Sequence, residues 1–104
     1  MIDNKTKRER LQKWIDALRS GEYQQAHGQF HAGDGHCCLG VAELCAKMRR
    51  RKGDIADDYN RLALFYDLGI DTECSKLWHM NDVHHASFSE IADYIEQNLM
   101  PVGD

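Results

Sequence analysis

One stretch constrains this chain more than any other: residues 21–48, GEYQQAHGQFHAGDGHCCLGVAELCAKM. It holds three of the six histidines and three of the four cysteines. Its turn signal, Gly33-Asp34-Gly35, interrupts two unlike patterns. Before it, Tyr23, Gln25, His27, Gln29 and His31 alternate with Gln24, Ala26, Gly28 and Phe30, as in an extended chain. After it, Cys38, Val41, Cys45 and Met48 fall on one helical stripe, widened by Leu39, Ala42, Leu44 and Ala46. Glycine turns a chain cheaply. The expectation is a two-stranded hairpin, about 24–30 against 35–38, lying on a central apolar helix. A hairpin alone is marginal, so helices must cover one face of it.

The flanking segments supply those helices. Leu11, Trp14, Ile15 and Leu18 form one stripe, which predicts a helix over 4–20. Thr6 and Glu9 have capping-box spacing, with Asp3 or Asn4 as earlier caps, and Ser20-Gly21 is a stop. The central helix is expected over 38–52, running to the basic Arg49, Arg50, Arg51 and Lys52 and stopped by Gly53. A third helix is expected over about 57–68, ended by Gly69. Asp71 or Thr72 would cap a short helix ending near Asn81. The last helix carries Phe88, Ile91, Ala92, Ile95 and Leu99 behind a Ser87/Glu90 capping box, and Pro101 ends it. The predicted fold class is mainly α (α+β): four to five helices in a compact bundle, with a small two-stranded hairpin near 22–38. With 104 residues, a single domain, 1–104, is expected.

Totals narrow the function classes. Net charge is −4 with neutral histidines, which disfavours a nucleic-acid-coating role. No apolar run reaches the roughly 18–20 residues of a membrane span, and the N-terminus lacks a signal-peptide core. A cytoplasmic protein with reduced thiols is therefore expected.

Four constellations bear on chemistry. The first is metal. There is no CxxC or HExxH, and a zinc site from His36, Cys37, Cys74 and His79 would need convergence by the fold. Cys38, Cys45 and Cys74 read as small buried hydrophobes. No metal and no cofactor are expected. The second is nucleophilic catalysis by Cys37 or Cys38 beside His36 at a helix start. Sequence neighbours seldom aim at each other, and no enzymatic activity is expected. The third is a helix-turn-helix-like pair over 72–98, whose last helix is acidic at Glu90, Asp93 and Glu96. The fourth is a binding face made by Tyr23, Gln25, His27 and His31 with Arg49, Arg50, Arg51 and Lys52, suited to a phosphate group or an acidic partner surface.

Trp14-x-x-Ala17-Leu18-x-Ser20-Gly21-x-Tyr23-x-Gln25, followed by Cys37-Cys38-Leu39-Gly40-Val41, resembles small proteins encoded by tailed phages and prophages. Leu77-x-x-Met80-Asn81-Asp82 and Ser87-Phe88-x-Glu90-Ile91-Ala92-Asp93-x-Ile95-Glu96 extend the likeness. The resemblance covers both ends of the chain and leaves out 49–72. It implies a setting, the host cell cytoplasm, rather than a mechanism. Small acidic phage proteins outside the virion often bind a host factor, by blocking a defence complex or sequestering a nucleotide signal. The expected function is thus a non-enzymatic accessory protein that binds a host protein or small anionic ligand. A nucleic-acid-associated regulator and a Cys/His hydrolase or zinc-binding protein are the alternatives. A homodimer would be favoured if a partner chain covers the apolar helix at 38–48.

Overall fold

The computed structural model describes residues 2–48 and 55–101, with the side chains of 55–58 left out. The elements in order are α1 (Asn4–Arg19), β1 (Gln24–Gln25), β2 (His31–Ala32), β3 (Gly35–His36), α2 (Cys38–Cys45) and α3 (Ile55–Tyr66). A π-helical turn (Ile70–Cys74) then runs into α4 (Ser75–Asp82), and α5 (Phe88–Asn98) closes the bundle. The protein is mainly helical with a small sheet, as its periodicities predict.

Helix α1 starts on the earliest of the caps that the sequence offers. Asp3 Oδ1 accepts from the Thr6 amide at 2.7 Å, satisfying one of the amides that a helix start leaves open. The bond holds the Asp3 carboxyl below its usual value. Leu11, Trp14, Ile15 and Leu18 are buried, and this stripe lies against α5 and α2. On the other side of α1, basic side chains satisfy carbonyls at the end of α3. Arg10 donates to Phe65 O at 2.7 Å and Lys7 to Asp67 O at 2.7 Å, where the helix dipole favours cations.

Two helices stop earlier than expected, for one reason. Helix α2 ends at Cys45 rather than near 52, because Lys47 takes a left-handed conformation, φ 56°. The Met48 amide then reaches Glu43 O at 3.0 Å and the Lys47 amide Leu44 O at 3.1 Å, the paired bonds of a Schellman stop. Helix α3 ends in the same way at Asp67, φ 55°, with the Leu68 amide on Ala63 O at 2.9 Å. Gly69, the expected stop, instead begins the π-helical turn, and neither Asp71 nor Thr72 caps it. The last helix follows expectation. Ser87 Oγ accepts from the Glu90 amide at 3.1 Å, and the Ser87 amide donates to Glu90 Oε1 at 3.0 Å.

The sheet departs from the expected hairpin. It has three strands in the order β1-β3-β2. The turn at Gly33, φ 59°, pairs β3 with β2, His31 opposite His36 and Ala32 opposite Gly35. Residues 24–25 run parallel to β3 on its other edge. Between them the chain reverses through 26–30, with Gly28 at φ 83°. The alternation from 23 to 31 is thus two short strands and a loop, not one strand.

The core joins all layers. Trp14 Nε1 donates to Cys38 O at 3.0 Å, and the Trp14 and Tyr66 ring centroids lie 4.9 Å apart. Tyr66 donates its hydroxyl to Ala42 O at 2.8 Å. Within α2, Cys38 to Glu43 are all buried, whereas Leu44 is 41% exposed. Among the described residues no helix is long and apolar enough to cross a membrane.

Candidate functional site

The loop and sheet between α1 and α2 rest on two buried polar side chains. Asn81, fully buried at the end of α4, is the first. Its Oδ1 accepts from Gln25 Nε2 at 2.9 Å and from the Cys38 amide at 3.1 Å. Its Nδ2 donates to Ala26 O at 2.8 Å and Asp82 Oδ1 at 2.7 Å. One carboxamide therefore fastens β1, the loop after it and the start of α2. Gln25 also donates to Ala86 O at 2.7 Å.

Glu43 is the second. It is 2% exposed, in the middle of the apolar helix α2. Glu43 Oε1 lies 3.0 Å from His31 Nε2, and His31 Nδ1 lies 2.7 Å from His36 Nδ1. Along this row each contact pairs one donor with one acceptor, the roles following the histidine tautomers. The Tyr23 ring stands edge-on to His36, centroids 5.9 Å apart. The chain Glu43–His31–His36 thus runs from the core to the sheet.

Gly40 makes this approach feasible. A Cβ there would come within 2.1 Å of Phe30 O and 3.3 Å of His31 Cε1. The backbone at Phe30, just before β2, therefore sits directly on α2, and only glycine leaves room.

The expected binding residues separate into two kinds. Tyr23, Gln25 and His31 are half-buried and are spent on the protein's own contacts. His27 is exposed, its ring 4.6 Å from that of His85. Gln29, Ala32, Gly33 and Asp34 are exposed with it. Arg49, Arg50, Arg51 and Lys52 lie outside the described residues.

The thiols are placed for packing. Cys37 caps α2, its Sγ accepting from the Gly40 amide at 3.4 Å. Burial outweighs that bond and pushes the Cys37 thiol up to about 11. Burial raises Cys38 well above the usual thiol range and takes Cys74 to about 11. Neutral thiols are poor nucleophiles and poor metal ligands. His36 turns its Nδ1 to His31, while His79 bonds Ser75 O at 2.7 Å inside α4. His36, Cys37, Cys74 and His79 are not brought together: among the described residues no three His, Cys, Asp or Glu side chains group to hold a metal ion.

Sequence reading missed Glu43 and Asn81. Each carried a signal: a charge inside the most apolar helical stretch, and an amide at the end of a short helix.

The profile of a family described as a domain of unknown function (DUF8296) matches residues 6–59. The chain belongs to this family. The DUF8296 segment contains α1 from its third residue, the whole sheet, α2 and the first turn of α3, and with them His31, His36 and Glu43. Asn81 and α5, which pack against that segment, lie beyond the match. No curated protein and no solved structure matches the chain.

Proposed function

We propose that the chain is a non-enzymatic accessory protein of the tailed-phage type. It binds, and thereby inhibits or sequesters, a host factor such as a defence protein or a nucleotide signal in the host cytoplasm. The contact face is the loop 26–34 together with Arg49, Arg50, Arg51 and Lys52. The observation that carries this reading is the contrast between the two sides of the loop. Its exposed side presents His27, Gln29 and Asp34. Its inner side is pinned by Asn81 and by the His31–Glu43 pair. A loop held on a rigid base presents its surface at low ordering cost, which suits recognition. The buried, neutral thiols favour binding over catalysis.

The test is affinity capture from host cells with identification of what is bound, alongside calorimetry with free nucleotides. The expected result is one captured species whose binding weakens at least about tenfold in H27A/Q29A and in R50E/R51E. Circular dichroism should stay unchanged in both. Capture indifferent to both variants would remove this face from the reading.

The competing reading places nucleic acid on the helices at 72–98. Glu90, Asp93 and Glu96 are exposed on α5, and Arg19 is engaged with Asp93 and Glu96 at 2.6 and 3.1 Å. Those acids oppose phosphate. A gel shift at low salt would reveal such binding at its strongest.

A further inference from the structure

We propose that Glu43, His31 and His36 form an acid-opened latch: the histidine pair stays closed with one excess proton at most, and a second proton parts β2 from β3 and frees the base of the loop 26–34. The latch is independent of what the loop contacts. The two histidines are opposed in the β2–β3 register, so their rings leave the same face of the sheet. Their Nδ1 atoms lie 2.7 Å apart, with ring centroids 4.9 Å apart. That contact takes one hydrogen, between a donor and an acceptor. A neutral pair meets the condition. So does a pair with one ring charged, because the other ring then offers a bare Nδ1. An imidazolium carries N–H on both nitrogens. With both rings charged, two Nδ1–H groups and two like charges face each other, and the contact cannot stand.

The surroundings favour the first proton. Glu43 Oε1 lies 3.0 Å from His31 Nε2, with the two side chains 3% and 12% exposed, and a carboxylate in contact favours one imidazolium. Burial raises the Cys37 thiol and the Tyr59 hydroxyl, so both stay neutral in acid. Tyr59 packs its ring on Phe30, and Tyr23 meets His36 edge-on. Asp34 is exposed in the turn, and Asp82 at the end of α4 acts on Cys37. Repulsion from the second proton has one outlet. Inward, Phe30 O is already seated on Gly40. Outward, β2 is an edge strand of two residues, whereas the Ala26 amide holds β3 from its other side through His36 O at 2.8 Å. The strand that moves is therefore β2. Once opened, it lets both imidazoles take up protons below pH about 6.5, the ordinary histidine value, while the latched pair holds one. The opened state binds more protons, so acid favours it, and the opening constant rises about tenfold for each pH unit below that value.

Amide hydrogen exchange of the whole chain, read by NMR between about pH 7.5 and 4.5 and corrected for the intrinsic pH dependence of exchange, tests this. The expected result is that amides in 31–37 lose protection about tenfold per pH unit in the acid half of that range, while those of α1 and α5 keep theirs. H36N puts a polar group that takes up no charge opposite His31, and its profile should be flat. E43Q removes the charge that favours the first proton, so its profile should steepen towards about a hundredfold per pH unit. H27Q/H85Q should match the wild type. The wild-type profile needs no variant to fold and decides the matter if a core variant unfolds. Protection in 31–37 that ignores pH, equal loss throughout α1 and α5, or a folded H36N as acid-sensitive as the wild type would overturn the latch.

Discussion

Asn81 shows how one buried amide can decide a local fold. The strands are only two residues long, so ladder bonds alone cannot hold the sheet. Three hydrogen bonds to one side chain, from Gln25 and the Cys38 amide and to Ala26 O, supply what the ladder lacks. Asn81→Ala would strand the Cys38 amide and Ala26 carbonyl in the interior. Each orphaned group costs about 1–3 kcal/mol, so the variant should lose about 3 kcal/mol in chemical denaturation. A loss below about 1 kcal/mol would mean that water replaces the amide. Residues of this kind are hard to read from sequence. The periodicity that marks Leu77 and Trp78 as a helical face says nothing about an amide at that helix's end. Glu43 is similar: its neighbours mark α2 as core, and nothing in the order of residues reveals that His31 waits across the turn.

At the scale of elements, apolar stripes predicted each helix and the box at Ser87 predicted the start of α5. The Ser20-Gly21 stop of α1 was legible, with Gly21 at φ 77°, but the ends of α2 and α3 were not, because those helices stop on residues other than glycine. Lys47, Asp67 and His85 all hold positive φ. Such a conformation costs a non-glycine residue roughly 1–2 kcal/mol, and the Schellman bonds together with burial of the following residue offset it. The visible glycines, Gly53 and Gly69, misplaced both stops. Lys47 is exposed, so Lys47→Gly should relieve the strain at little other cost. The expected gain is about 0.5–1 kcal/mol after the entropy of glycine is subtracted, read as a higher denaturation midpoint. An unchanged or lower midpoint would show that the lysine side chain itself holds the turn. The sheet was misread for a related reason. Alternation over 23–31 looks like one strand because a glycine loop at 26–30 happens to keep the same parity.

For the molecule as a whole, cysteine burial sets an alkaline limit. Burial raises Cys37 and Cys74 from 9.0 to about 11, and Cys38 further. A thiol whose pKa is higher folded than unfolded favours the fold while it stays neutral. That contribution is complete below pH 9.0 and is lost as pH rises through about 11. The denaturation midpoint should therefore fall across that interval, and fall less in Cys74→Ala. A flat profile would contradict the burial. Below pH 9, thiol reagents should reach half-buried Cys45 first and the other three only on unfolding.

The placement of Asn81 also sets a schedule. Its partners across the fold are Gln25, Ala26 and Cys38, all made before it on the ribosome, and α1 finds its main neighbour in α5, at residues 88–98. Domains generally fold as units during synthesis. Here the family's own segment emerges with its sheet unfastened and its first helix half-covered. Until residue 81 has cleared the exit tunnel, the nascent chain shows the cell an apolar surface.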